Sequence, residues 1–157
     1  GETDGEDYHF MEATDFQRRI GAGDFLEYAR VHDHYYGTLR QSIVDTLRAG
    51  TDVLVDIDVQ GAKTIRKSTD PFISDSLVDI FIMPPSLEEL RHRLEKRGTE
   101  SAGQIDFRLT NAAAEMKCWR EYKYTIISGS MEEDLTKFRA ITRAERYLSR
   151  RIISLEG

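Results

Sequence analysis

The chain has 157 residues, 39% apolar and 32% charged, a balance that builds one globular domain with a buried core and excludes extended disorder. A formal net charge of -6 argues against nonspecific binding to nucleic acid or to an anionic membrane, and suits a small anionic ligand held in a local basic pocket. The single cysteine, Cys118, excludes an intrachain disulfide framework and a cysteine-rich metal site, and no apolar run is long enough for a signal peptide or a membrane span, so the cytoplasm is the default compartment.

In chain order, Gly1 to Asp7 (GETDGED) is acidic, turn-like and without a starting methionine, which reads as an opening inside something longer. Thr14 with Gln17 predicts a capping box for a short helix carrying Phe16 and Ile20, ended by Gly21 and Gly23. A second helix places Leu39, Ile43 and Leu47 on one stripe, with Gly50 closing it. The β-branched run Val53 to Val59 predicts a strand, a helix follows from Gln60 to Ser68, and Asp70 with Pro71 marks a loop. Val78 to Met83 is the next strand, stopped by Pro84 and Pro85. Ser86 with Glu89 then caps a helix carrying Leu87, Leu90 and Leu94 and ending at Gly98. Ser101 with Gln104 opens a longer helix with Ile105, Leu109, Ala112 and Met116. Tyr124 to Ser128 is the last strand, and Ser130 with Glu133 caps a terminal helix bearing Leu135, Phe138 and Ile141. Strands separated by helices of this length require parallel crossovers, and hence an α/β sheet flanked by helices.

Several residues carry chemistry in this frame. Asp56 and Asp58 alternate with apolar residues, so on a strand they share a side near its carboxyl end, where open α/β sheets bind ligands; the plainer alternative is a half-exposed strand with its acids in water. Arg93 and Arg97 share a helix face, where like charges repel unless an anion lies between them, although an exposed face with Glu89 paired to Arg93 satisfies the same pattern. Taken alone, Glu27 is an ordinary surface acid, Thr38 a helix N-cap, and Tyr8 and Tyr36 packing residues. His9, His32 and His34 lie close in sequence but assemble no convincing metal-ligand set. Arg139, Arg143, Arg146, Arg150 and Arg151 form a solvated basic face on the last helix, which also offers a surface for a homodimer.

The segments DYHF (Asp7 to Phe10), FLEYARVHDHYYGT (Phe25 to Thr38), VLVDIDVQGA (Val53 to Ala62) and PPSLEELRHRLEKRGTE (Pro84 to Glu100), followed by Arg108, stand in the order and spacing of guanylate kinase, which the chain resembles over nearly its whole length. The resemblance implies a P-loop-kinase-like parallel sheet with a GMP-binding region over residues 1–38, a core over 39–85 and 121–157, and a helical lid over 86–120. It implies transfer of the ATP γ-phosphoryl group to GMP or dGMP with Mg²⁺. Glu27 would accept from guanine N1–H and N2–H, Thr38 would donate to O6, and Asp58 would accept from the guanine amino group. Tyr8 and Tyr36 would donate to the GMP phosphate, Asp56 would position Mg²⁺ through water, and Arg93, Arg97 and Arg108 would spread the charge of the transferring phosphoryl group.

Two departures qualify these roles. No GxxxxGK[ST] phosphate loop occurs anywhere in the 157 residues; the loop, a first central strand and a phosphate-binding arginine segment would precede Gly1 over roughly forty residues. The chain alone is therefore expected to lack kinase activity. Where the family has Asn-Asp-Asp after the last strand, this chain has Ser128, Gly129 and Ser130, so adenine contacts by Ser128 are in question. The alternative function is a kinase-like scaffold domain that binds phosphopeptide without catalysis. Such a domain has no use for Glu27, Thr38, Asp58 or the arginine set.

Overall fold

The computed structural model describes residues 9–31 and 34–151, and the chain divides into two units, Gly1–Leu77 and Val78–Gly157. In the first, α1 (Ala13–Ala22) leads into the antiparallel hairpin β1 (Phe25–Val31) and β2 (His34–Leu39), then α2 (Arg40–Arg48), α3 (Val59–Arg66) and α4 (Pro71–Ser76). In the second, β3 (Ile80–Met83) pairs in parallel with β4 (Tyr124–Ile127), and between them run α5 (Leu87–Arg97), α6 (Ala102–Glu115) and a 3₁₀ turn, Met116–Glu121. The helix α7 (Met131–Arg146) and a short 3₁₀ turn, Ser149–Arg151, follow β4. A parallel pair joined by a helical crossover is the arrangement of the P-loop-kinase-like α/β fold. Among the described residues no helix is long and apolar enough to cross a membrane.

The first unit is held by Leu26, Val44, Ile65 and Ile73, with Ile43, Ile57 and Leu77 packed around them. Phe16 of α1 stacks on Phe25 with ring centroids 4.3 Å apart, which pins the helix to the start of the hairpin. Three consecutive residues, Phe25, Leu26 and Glu27, are buried, which a regular strand with alternating faces does not allow. A bulge is the reason. Phe25 lies opposite Leu39 but Glu27 lies opposite Thr38, so Leu26 is the extra residue that turns its side chain into the core and resets the register for Glu27.

The hairpin also depends on a missing side chain. A Cβ on Gly37 would stand 2.9 Å from the Phe25 ring, 3.0 Å from the Tyr28 Cβ and 3.1 Å from the Glu27 carbonyl. The last two cannot swing aside. Gly37→Ala is therefore expected to destabilise the chain by about 2 kcal/mol, the usual cost of overpacking, and an unchanged denaturation midpoint would contradict the close approach.

The second unit packs α5 on α6 through Leu90, Leu94, Ile105 and Leu109, and β4 buries Ile126 to 2% exposure. Local signals set its helix ends. Gly98 adopts φ 67° and returns its amide to Leu94 and Glu95, and the Gln104 carboxamide oxygen accepts from the Ser101 amide 2.8 Å away. At α7 both halves of the capping box form: Glu133 N–H donates to the Ser130 hydroxyl at 3.3 Å, and Ser130 N–H donates to the Glu133 carboxylate at 2.9 Å. At α5 only half does, because the Glu89 carboxylate turns to Arg93.

Four expectations are corrected. The stretch from Val53 to Asp58 forms no strand: its burial alternates as a strand's would, with Val53, Val55 and Ile57 half-buried and Asp56 and Asp58 exposed, but it has no ladder partner among the described residues. β-branched residues favour extended backbone, and a strand needs a second backbone to bond. Asp70 and Pro71 open the short helix α4, with the Asp70 carboxylate accepting from Phe72 N–H at 2.9 Å and Pro71 at the first helical position, where a missing N–H costs nothing. The Thr14–Gln17 box does not form, since α1 begins two residues earlier, at Ala13, with Glu12 as its cap; Gly23, at φ 73°, ends it. The helix after the hairpin is capped by Leu39, which leaves Thr38 in β2.

Candidate functional site

Glu27, Thr38 and Asp58 are brought together in the first unit. The bulge in β1 sets Glu27 across from Thr38, and the Thr38 hydroxyl donates to the Glu27 Oε1 oxygen at 2.7 Å. Glu27 is 8% exposed, which a carboxylate tolerates only when hydrogen-bonded. Asp58 is the N-cap of α3, and its Oδ1 accepts from Gly61 N–H at 2.8 Å. Both carboxylates meet at Gly61. A Cβ placed there would stand 3.4 Å from Glu27 Oε2 and 3.5 Å from Asp58 Oδ1. Two acceptor oxygens thus border one backbone position with no side chain between them, a geometry suited to a ligand group carrying several N–H donors.

Around this cluster, Asp56 is exposed one alternation before Asp58, and Tyr36 lies half-buried on β2 opposite Ala29. Tyr8 and His32 lie outside the described residues. His9 and His34 are exposed, and no group of three or more His, Cys, Asp or Glu among the described residues is arranged to hold a metal ion.

The basic set belongs to the second unit. Arg93 of α5 donates through Nε to Glu89 at 2.7 Å, through Nη1 to the Ser128 hydroxyl at 2.9 Å, and through Nη2 to the Ser128 carbonyl at 3.2 Å. The ion pair holds the Glu89 carboxyl below its ordinary value. The Ser128 hydroxyl donates in turn to Asp134 at 2.7 Å, and the same carboxylate accepts from Gly129 N–H at 2.9 Å. Those two bonds, from Gly129 first and Ser128 second, hold the Asp134 carboxyl below its ordinary value. Arg93 thereby fastens α5 to the loop after β4. Arg97, one turn further, is exposed and makes no ion pair among the described residues, while Arg108 on α6 pairs through Nε with Glu100 at 3.0 Å.

The Ser128 loop therefore rests on Asp134. Asp134→Ala should release the Gly129 amide, which is then expected to exchange its hydrogen as fast as a free loop amide; retained protection would show that Asp134 does not hold the loop.

Sequence reasoning overlooked Gly61, Leu26 and Asp134. Gly61 left one signal: a glycine in the first turn of a helix, where almost any other residue is the better helix former. Leu26 left none, since a bulge is defined by its partner strand. Asp134 stands among the acids of the first turn of α7, where a carboxylate ordinarily needs no further explanation.

Comparison with known proteins identifies the family. The profile of the family described as guanylate kinase matches residues 1–145. The guanylate kinase of Bartonella henselae is 40% identical over 155 residues, covering 99% of this chain and 68% of that protein. That of Vibrio cholerae is 47% identical over 146 residues, covering 93% and 68%. The crystal structure of guanylate kinase from Anaplasma phagocytophilum superposes with a TM-score of 0.75 at 34% identity, covering 99% of this chain and 73% of that one. The family profile over residues 1–145, the identity to these relatives and the shared fold place the chain in the guanylate kinase family.

Proposed function

We propose that Glu27, Thr38 and Asp58 read the guanine ring of GMP or dGMP, as the substrate half of a kinase that transfers the γ-phosphoryl group of ATP to the nucleotide. One observation carries this reading: a nearly buried carboxylate, oriented by a hydroxyl, shares a gap with a second carboxylate at Gly61. Guanine offers adjacent N1–H and N2–H donors to one carboxylate and a second amino hydrogen to another, whereas adenine lacks the N1–H and 2-amino donors and would leave Glu27 buried without a partner. When N1–H takes over Glu27 Oε1, the Thr38 hydroxyl is freed to turn to O6. Asp58 still caps α3 through one oxygen and gives the other to the amino group.

Tyr36, with Tyr8, would donate to the phosphate of the nucleotide. Mg²⁺ fits an exposed acid such as Asp56, since this ion keeps much of its water and binds through one or two carboxylates plus substrate phosphates rather than a protein cage. Asp56, exposed at the edge of the cluster, would hold it through water. Bound with ATP, the ion supplies charge neutralisation on the phosphate oxygens. Arg97 and Arg108 would spread the charge that grows on the transferring group. Arg93 joins them only by leaving Glu89 and Ser128, to which it now binds. A phosphopeptide-binding scaffold would have no use for the paired acceptors at Gly61, and that alternative is not favoured.

The test is titration calorimetry of the 157-residue chain with GMP and with AMP. GMP is expected to bind tighter by about 100-fold, and equal affinities would refute the guanine reading. With ATP and GMP together this chain, which contains no GxxxxGK[ST], is expected to make no GDP; measurable GDP would show that the γ-phosphate can be held without that loop.

A further inference from the structure

Gly61 is an expensive choice for its place. It is the third residue of α3, buried, and neither its φ nor a turn demands glycine, so alanine would be the better helix former. Steric exclusion does not explain it fully. The nearest atom to a Cβ at this position is the Ile57 Cβ at 3.2 Å, a tight contact that a shift of a few tenths of an ångström relieves. The next two are Glu27 Oε2 at 3.4 Å and Asp58 Oδ1 at 3.5 Å, at ordinary contact distance. A methyl group accommodated by that shift would lie against Glu27 Oε2, the oxygen left for a ligand's N–H, and against Asp58 Oδ1, which already caps α3.

We infer that Gly61 is a specificity-determining residue, which keeps open the gap between Glu27 and Asp58 that the 2-amino group of the purine enters. The inference rests on the guanine reading proposed above. Two features of the structure make the gap a consequence of the fold. The β1 bulge and the Thr38 hydroxyl fix Glu27 from one side, and the Asp58 cap on the Gly61 amide fixes the second carboxylate from the other. Neither carboxylate can retreat from a new methyl without giving up a hydrogen bond. A methyl at residue 61 would exclude water and ligand donors from Glu27 Oε2 and narrow the approach to Asp58, without supplying a donor of its own. It would act on the amino group alone, since nothing places N1–H or the phosphate in that gap.

The test compares GMP with IMP, the same nucleotide without the 2-amino group, in titrations of the unaltered chain, Gly61→Ala and Gly61→Ser. The unaltered chain is expected to prefer GMP by about 10- to 100-fold, the worth of a hydrogen bond to a charged acceptor. In both variants IMP affinity should stay within about threefold of the unaltered chain while the preference for GMP falls to about threefold or less. A variant that keeps the full preference overturns the inference. Parallel loss of both nucleotides in both variants, checked by thermal melting, also overturns it, because Gly61 would then serve helix packing alone. If the unaltered chain itself shows no preference for GMP over IMP, the reading of the base fails first, and the result is visible before any variant is made.

Discussion

Glu27→Gln is expected to weaken GMP binding by about 100-fold, close to 3 kcal/mol, while leaving the fold intact. The side chain keeps its size and one acceptor, so Thr38 can still donate to it across 2.7 Å. What changes is the oxygen beside Gly61. In the carboxylate both oxygens accept, whereas the amide must turn an NH₂ group toward Thr38 or toward the ligand, and guanine presents donors there. A donor facing a donor in a site only 8% exposed loses the attraction and cannot recover it from water. The thermal melting midpoint is expected to be unchanged, which separates loss of base recognition from general damage. Calorimetric titration of the variant with GMP decides the matter: an affinity within about threefold of the unaltered chain would remove Glu27 from the site. Glu27→Ala would lose the same affinity and would also strip the Thr38 hydroxyl of its acceptor, so the glutamine variant is the cleaner probe.

The largest stability effect is expected away from that site, at Glu145. This residue of α7 is 2% exposed, yet it accepts from the Tyr124 hydroxyl at 2.6 Å and from Lys123 Nζ at 2.6 Å, and lies 3.4 Å from the Arg151 guanidinium. One carboxylate thus joins the start of β4, the end of α7 and the closing 3₁₀ turn. Burial pushes its carboxyl up, but the bonds from Lys123 and Tyr124, with the charges of Lys123 and Arg151, outweigh burial and leave it below its ordinary value. The same hydrogen bond raises the Tyr124 phenol, whose ionisation would set a second negative charge beside the first. Glu145→Ala removes the Oε1 acceptor that Lys123 and Tyr124 share and the charge that faces Arg151. Breaking a buried pair costs about 3–5 kcal/mol, and the lower end, near 3 kcal/mol, applies because the Lys123 side chain is 36% exposed and can turn to water. Denaturant unfolding would measure it; a loss well under 1 kcal/mol would mean the cluster holds nothing together.

The sign of the pH dependence follows. The folded-state carboxyl is depressed, so Glu145 contributes stability above its unfolded value of about 4.5, and that contribution is lost as the pH falls through the lower, folded value. Wild-type unfolding free energy should decline over this acid range more steeply than that of Glu145→Ala.

Both predictions concern glutamates that a sequence cannot tell apart from surface acids. Glu145 sits in a run of charged residues with arginines on either side, and its partners are 21 and more positions away or on a separate turn. Glu27 was singled out only through the guanylate kinase motif around it. Its buried state and its bond to Thr38 come from a bulge whose existence depends on how β2 pairs with β1. The strand expected from Val53 shows the reverse failure. Its composition is right and its burial alternates, yet extended backbone becomes a strand only when another strand bonds to it.

By itself the sequence determined what depends on neighbours within a turn or two. The starts of α5, α6 and α7, the glycine stop at Gly98, the parallel crossover from β3 to β4 and the family motif were all legible, because capping and periodicity involve atoms three or four residues apart. Tertiary structure alone decided which polar groups left water. It tied Arg93 to the Ser128 loop, buried Glu145 among Lys123, Tyr124 and Arg151, and set Glu27 and Asp58 on either side of Gly61. The physical reason is that a side chain's charge, hydrogen-bond partners and affinity for a ligand depend on its surroundings in space, and those are assembled from segments that the sequence keeps far apart.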